Sequence, residues 1–292
     1  MLPELRILLF TLALLPYSVF ASPILIETDW LADQLGANHI AIVDMSDAMQ
    51  YSRFHLPGAR HLPYSAINRL SKRRVSLSIG SQNIAQLMGQ LGISADMHII
   101  IYDDTGGLHA SRLFWELERL GHPQLSLLNG GLVKWILEGR KVVSEQSVFP
   151  KTSYRPAKNR GRDNLAGIDS LLSAGDNTLL LDVRSEEEYL GHPRQKVSGH
   201  IPGARWWHWE DNVNFEKAFQ FQGKSSLAKR THNLGLSDKQ QAIIVYCQSG
   251  HRAAHSYFTL RTLGYTNVRL YDGSIAEYSQ VHPTSLKKGR QP

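Results

Sequence analysis

Cysteine is almost missing from this chain: its 292 residues contain one, Cys247. A lone cysteine forms no intramolecular disulfide, so the fold is not a disulfide scaffold. The thiol is either a buried, inert hydrophobe or a reactive group. Long apolar runs are lacking too. After residue 21 no segment approaches 18 apolar residues, which excludes a later membrane-spanning helix. Low-complexity tracts are absent, and the 13 histidines are dispersed. The spacing of His251 and His255 stands alone, with no third ligand type nearby, so neither a metal nor a cofactor is expected. Charge does not run to one sign: 32 Lys+Arg oppose 26 Asp+Glu, a net +6. The basic clusters Lys72-Arg73-Arg74 and Lys287-Lys288 are short, and read as solvated surface rather than a nucleic-acid site. Hydrophobic residues are 42% and charged residues 20%, which excludes disorder, collagen and a coiled coil as the overall class. The length suits two domains.

Residues 1–21 read as a secretory signal. Arg6 is a weak basic start, and Ile7 to Leu15 is an apolar run broken only by Thr11. Pro16 follows, and Val19 and Ala21 supply small residues before a cleavage point. The run is too short to span a bilayer. The expectation is a cleaved leader, a periplasmic protein and no membrane association afterwards; an uncleaved signal anchor is the alternative.

Two halves of the chain repeat. Ile42-Val43-Asp44 is echoed by Leu180-Leu181-Asp182, and His55 to Ala59 by His200 to Ala204. Ile99 to Tyr102 is echoed by Ile243 to Tyr246, Leu120-Gly121 by Leu263-Gly264, and Asn129-Gly130 by Asp272-Gly273. The offsets are 138, 145, 144, 143 and 143, which implies a duplicated domain. Short β-branched runs at Ile40–Val43, His98–Tyr102, Thr178–Leu181 and Ala242–Tyr246 predict buried parallel strands. Apolar residues at three- and four-residue spacing predict helices over Ala110–Leu120 and Ala253–Leu263, each closed by a glycine. The fold class is therefore α/β, with two small domains at 22–143 and 164–284. Ser144 to Asp163, rich in proline and basic residues, is the expected linker. The tail, 285–292, is expected to fray from Lys287 onward.

The stretch Tyr246-Cys247-Gln248-Ser249-Gly250-His251-Arg252-Ala253 carries the chemistry. A cysteine here stands at the carboxyl end of a parallel strand, where open α/β sheets place ligands, and faces a helix N-terminus. Both settings favour a thiolate. Gly250 lets a six-residue loop, Cys247 to Arg252, curl so that its amides point inward as an anion nest. Arg252 adds a fixed charge able to grip an oxyanion.

These residues resemble the tandem-domain rhodanese family of thiosulfate and 3-mercaptopyruvate sulfurtransferases. The resemblance rests on Asp182-Val183-Arg184, Gly199 to Ala204, Cys247 to Arg252 and Tyr271-Asp272-Gly273-Ser274. In the first half it rests on Asp44, His55 to Ala59 and Leu128 to Gly131. It implies two rhodanese-like domains, each a small, mainly parallel sheet flanked by helices. It also implies sulfur transfer from a small anionic donor through a Cys247 persulfide. The acceptor would be cyanide or a thiol, with a periplasmic thiol protein among the candidates. Gln248, Ser249, Gly250, His251, Arg252 and Arg184 are the expected substrate-binding residues. Two alternatives are a non-catalytic sulfur carrier on the same fold and a cysteine phosphatase. The second is disfavoured by loop size, because phosphatase loops place five residues between Cys and Arg and this chain places four.

The first half is expected to be inactive. Asp103 or Asp104 stands where the nucleophile would be, its loop is one residue longer, and no arginine closes it. Arg184 has two readings, a pair with Asp182 or a contact to the donor. Arg205 reads equally as pocket mouth or surface. Trp206, Trp207 and Trp209 read as packing, His200 as a turn residue, and His251 as a side chain turned to solvent. Glu186, Glu187 and Glu188 disfavour a dianion nearby, unless they face solvent.

Overall fold

The computed structural model describes residues 23–155, 161–173, 175, 177–195 and 197–292; the predicted leader and part of the predicted linker lie outside them. The first domain contains strands β1 (Leu25–Ile26), β2 (Ile40–Asp44), β3 (Ala59–His61), β4 (Asn68–Leu70), β5 (Ser76–Ser78), β6 (His98–Tyr102) and β7 (Leu125–Leu128). Its helices are α1 (Thr28–Gln34), α2 (Ala48–Arg53), α3 (Ser81–Gln90), α4 (Leu108–Leu120) and α5 (Gly131–Leu137). The second contains β8 (Leu165–Ala166), β9 (Leu179–Asp182), β10 (Ala204–Trp206), β11 (Val213–Asn214), β12 (Gln220–Phe221), β13 (Ile243–Tyr246) and β14 (Val268–Tyr271). Its helices are α6 (Ile168–Leu172), α7 (Glu186–Leu190), α8 (Lys224–Asn233), α9 (His251–Thr262) and α10 (Ser274–Val281).

Each domain is a five-stranded parallel sheet. The orders, β1-β7-β6-β2-β3 and β8-β14-β13-β9-β10, are the same once the repeat offset is applied. The β-branched runs form the central strands because all their residues are covered, as at β2, β6 and β13. Among the described residues no helix is long and apolar enough to cross a membrane.

The two domains meet through α4 and α9. Phe114 packs edge-on to Phe258 at 4.9 Å, the Trp115 indole donates to Asn164 O at 3.0 Å, and Arg261 pairs with Glu118 at 2.9 Å. The join is nearly two-fold. Ser78 N donates to Asp272 Oδ2 at 2.8 Å, and its counterpart Phe221 N donates to Asn129 Oδ1 at 2.9 Å. Arg112 Nη1 reaches Gly250 O at 3.5 Å, while His255 Nε2 lies 3.1 Å from Gly106 O. Each domain thus touches the loop that follows the central strand of the other.

The tail does not fray as expected. His200 and Lys287 form an antiparallel bridge with both N–H···O bonds at 2.9 Å, and Gly289 N donates to Leu190 O at 2.9 Å. The same bridge joins His55 and Val143 in the first domain. Backbone pairing against the His-x-Pro-Gly-Ala turn, invisible in the composition of the tail, orders it. His200 itself stacks on Tyr189 at 3.9 Å and is buried. Trp207 and Trp209 enter the core that also contains Cys247.

Burial holds His98, His122 and His255 down to about 4. Each is uncharged in the native state, whereas the unfolded chain takes up protons below about pH 6.5. Their stabilising effect is complete above that pH and is lost as pH falls toward 4. The limiting slope is about 1.4 kcal/mol per pH unit for each, or about 4 for the three together. Urea midpoints measured at pH 7, 6 and 5 should fall progressively; a flat profile would contradict this.

Candidate active site

The first domain shows what the loop after the central strand can hold. Asp103 follows β6, as Cys247 follows β13, and its carboxylate is buried. Oδ1 accepts from Thr105 N at 2.9 Å and Gly107 N at 2.8 Å; Oδ2 accepts from His109 N at 2.7 Å and Ala110 N at 2.9 Å. Four peptide N–H groups, two of them in the first turn of α4, converge on one anion. Asp103, not Asp104, is therefore the counterpart of the nucleophile, and it fills its own nest. Asp103→Ala should leave these donors unpaired and destabilise the protein by about 2–4 kcal/mol. Asp103→Asn, which keeps an acceptor, should lose less. Urea unfolding of the two variants checks the order, and equal stability of Asp103→Ala and wild type would contradict it.

In the second domain the turn is tighter than the six residues expected. Gly250 caps α9 with φ +78°, so Arg252 lies inside the first helical turn. A Cβ on Gly250 would come within 2.7 Å of Arg112 Nη1 and 2.8 Å of Asp272 Oδ1, so both conformation and space require glycine. Ser274 sits behind the turn at φ +50°, an uncommon value for a non-glycine residue. Its Oγ accepts from Cys247 N at 3.1 Å and Gly250 N at 3.0 Å, and donates to Tyr271 O at 2.8 Å. The counterpart of Ser274 is Gly131, also at φ +50°. Gly250 N is thus bound by a hydroxyl, whereas its counterpart Gly107 N holds Asp103. The amides of Arg252 and Ala253 stand, by repeat register, where His109 and Ala110 grip that carboxylate. They belong to the first helical turn, which lacks intrahelical acceptors.

Cys247 is 1% exposed. Gln248 is exposed and Ser249 partly so, marking the solvent side of the loop. The Arg252 guanidinium is not free: it forms a two-pronged pair with Glu188, at 2.6 and 2.9 Å. Burial alone would raise the Glu188 carboxyl. The Arg252 bonds and charge, the Ser185 N–H and the Arg184 charge outweigh it and bring Glu188 down to about 2. Arg184 is not brought into the loop. Its guanidinium binds Asp182 at 2.9 and 2.6 Å and Gly199 O at 2.7 Å, all buried, which is the pair of its two readings.

Comparison with known proteins agrees with this layout. The rhodanese-like domain matches twice, over residues 27–138 and 167–281. The chain belongs to the rhodanese-like family. It is similar over its length to the sulfur carrier protein TtuD of Thermus thermophilus, with 31% identity covering 93% of this chain and 99% of that one. It is similar to a putative thiosulfate sulfurtransferase of Mycolicibacterium smegmatis, with 32% identity covering 92% and 99%. The crystal structure of the 3-mercaptopyruvate sulfurtransferase SseA of Escherichia coli superposes with a TM-score of 0.76 and 26% identity, covering 87% of this chain and 99% of that one.

The first domain supplies much of the surroundings of the loop. His251 does not turn to solvent. It stacks on Tyr64 at 3.9 Å and near His109 at 5.0 Å, a three-ring wall drawn from both domains. Burial, reinforced by the neighbouring Arg112 and Arg252 charges, brings His251 down to about 3, so it is neutral. Burial also pushes the Tyr64 phenol up to about 12. Arg112, wholly buried, pairs with Asp272 at 2.7 Å and lies 3.6 Å from Glu116. Tyr64, Arg112 and Ser274 were not picked out as site residues from the sequence. The available signal was the repeat itself: at an offset of 143, Arg112 aligns with His255 and Ser274 with Gly131, unlike residues at otherwise matching places. Among the described residues no group of three or more metal-binding side chains occurs.

Proposed function

We propose that Cys247 carries a sulfane sulfur as a persulfide between a small donor and a nucleophilic acceptor, a thiol or cyanide. The enzyme class, a sulfurtransferase, follows from family membership and from full-length relatives of that name. The finer reading rests on one observation: Cys247 follows β13 as Asp103 follows β6, so by repeat register a sulfur stands where the first domain holds a carboxylate with four peptide N–H groups.

The Cys247 thiolate attacks the outer sulfur of the donor. A new S–S bond forms, the donor's own bond to that sulfur breaks, and the electron pair leaves with the remainder of the donor. The persulfide is anionic at its terminal sulfur, where the loop amides and the N-terminus of α9 lower its energy. The acceptor then attacks that terminal sulfur and the thiolate returns, a two-step exchange through a covalent intermediate. With the thiolate formed beforehand, no general base is required, which suits the neutral His251. The near-complete cover over Cys247 favours small reactants entering from the Gln248–Ser249 side.

The test is intact mass after incubation with donor, expecting one added sulfur, followed by cyanide and assay of thiocyanate. No added sulfur with any donor would overturn the reading. A second reading, a carrier that holds sulfur without turnover, is favoured by the likeness to TtuD; a stable persulfide that cyanide does not discharge would select it. Export to the periplasm, with a thiol protein there as acceptor, is part of the proposal and rests on the leader's composition alone.

A further inference from the structure

Three guanidiniums surround the catalytic loop, and each is matched by a carboxylate. Arg252 is held by Glu188 through two bonds, Arg184 by Asp182, and Arg112 by Asp272 with Glu116 close behind. Among the described residues each of the three is thus already engaged, Glu116 being shared with Arg119 at 3.8 Å, and a Cys247 thiolate adds a negative charge. The rest of the lining offers little to offset it. Gln248 is uncharged, and the wall formed by Tyr64, His109 and His251 consists of stacked rings. His251 carries no charge at neutral pH. What remains for an anion is the partial positive charge of peptide N–H groups and of a helix N-terminus, equivalent to about half a charge.

Such a site accommodates the single charge of a thiolate or a persulfide. A donor with two negative charges approaching that thiolate meets repulsion, and among the described residues Arg252, Arg184 and Arg112 are each already held by a carboxylate. The ring wall, by contrast, suits an organic group better than a hydrated sulfonate oxygen. We infer that the donor site is built for a sulfane sulfur on an organic carrier bearing no more than one negative charge, rather than for the thiosulfate dianion. This inference rests on the proposed persulfide chemistry and specifies its substrate class. With an organic thiosulfonate the step balances as for thiosulfate. The thiolate bonds to the sulfane sulfur, the sulfur–sulfonyl bond breaks, and the pair leaves on a sulfinate in place of sulfite.

The experiment measures second-order persulfide formation on Cys247 with benzenethiosulfonate, methanethiosulfonate and thiosulfate. Each rate is divided by the rate of the same donor with a small free thiolate. The expected result is a normalised preference of about tenfold or more for the singly charged donors. Added salt should speed the thiosulfate reaction more than the reactions of the singly charged donors. A preference shown by benzenethiosulfonate alone would assign it to the ring wall and overturn the charge argument. Glu188→Gln, which frees Arg252, should raise the thiosulfate rate about tenfold, while Glu188→Asp should not. Equal normalised rates in the wild-type protein, with no salt effect, would overturn the inference and leave the persulfide reading intact. Failure of every donor to modify Cys247 would overturn both.

Discussion

Cys247→Ser is expected to abolish sulfur transfer, lowering turnover by about a thousandfold or more while leaving the fold intact. The chain has no second thiol to take over. A serine oxygen remains protonated at neutral pH and does not hold a transferable sulfur, and removal of a covalent nucleophile typically costs that much or more. The hydroxyl is nearly isosteric and meets the same amides, so stability should change by about 1 kcal/mol at most. Thiocyanate formation with cyanide as acceptor, read beside intact mass and a urea melt, checks both halves of the expectation. Substantial turnover in the variant would place the chemistry elsewhere.

Arg112→Met is expected to be the most damaging change outside the catalytic domain, costing about 3–5 kcal/mol. The guanidinium is wholly buried, and its removal leaves Asp272 without its buried counter-charge and Glu116 with only Arg119, at 3.8 Å. It also breaks the contact from the first domain to Gly250 O. Asp272 begins the Asp-Gly-Ser turn that ends in Ser274, and Ser274 Oγ fixes Cys247 N and Gly250 N. Activity per folded molecule should therefore fall as well. Arg112→Lys, keeping the charge without the planar fork, should lie between the two. Urea unfolding gives the stabilities, and the pH profile of Cys247 alkylation shows whether the loop itself has changed. A loss under 1 kcal/mol in the methionine variant would mean that the pairing is dispensable.

The first expectation concerns a residue readable from the sequence and the second one that was not. Cys247, Gly250 and the start of α9 were legible because a strand end, a glycine and a helix follow one another within a few residues, and local backbone preferences decide them. His98–Tyr102 was legible as a strand for the same reason, since a covered parallel strand must be apolar throughout. That an acidic residue stands in the first domain at the place of Cys247 was legible, although the four amides gripping Asp103 were not. Arg184 was ambiguous because its partner, two residues away, competes with an unseen ligand. The directions of His251 and Arg252 were read wrongly or incompletely. Each is set by a partner in another segment, Tyr64 and His109 for the first and Glu188 for the second.

Composition and order along the chain thus determine the duplicated α/β fold and place the one cysteine at a strand end before a glycine and a helix, because these depend on neighbours in sequence. The pairing of Arg252, the neutrality of His251, the brace from Arg112 and the docking of the tail emerge only on folding. They depend on segments far apart in sequence, within the second domain for Arg252 and the tail and between the two domains for His251 and Arg112, and on the loss of water that makes each buried charge find a partner.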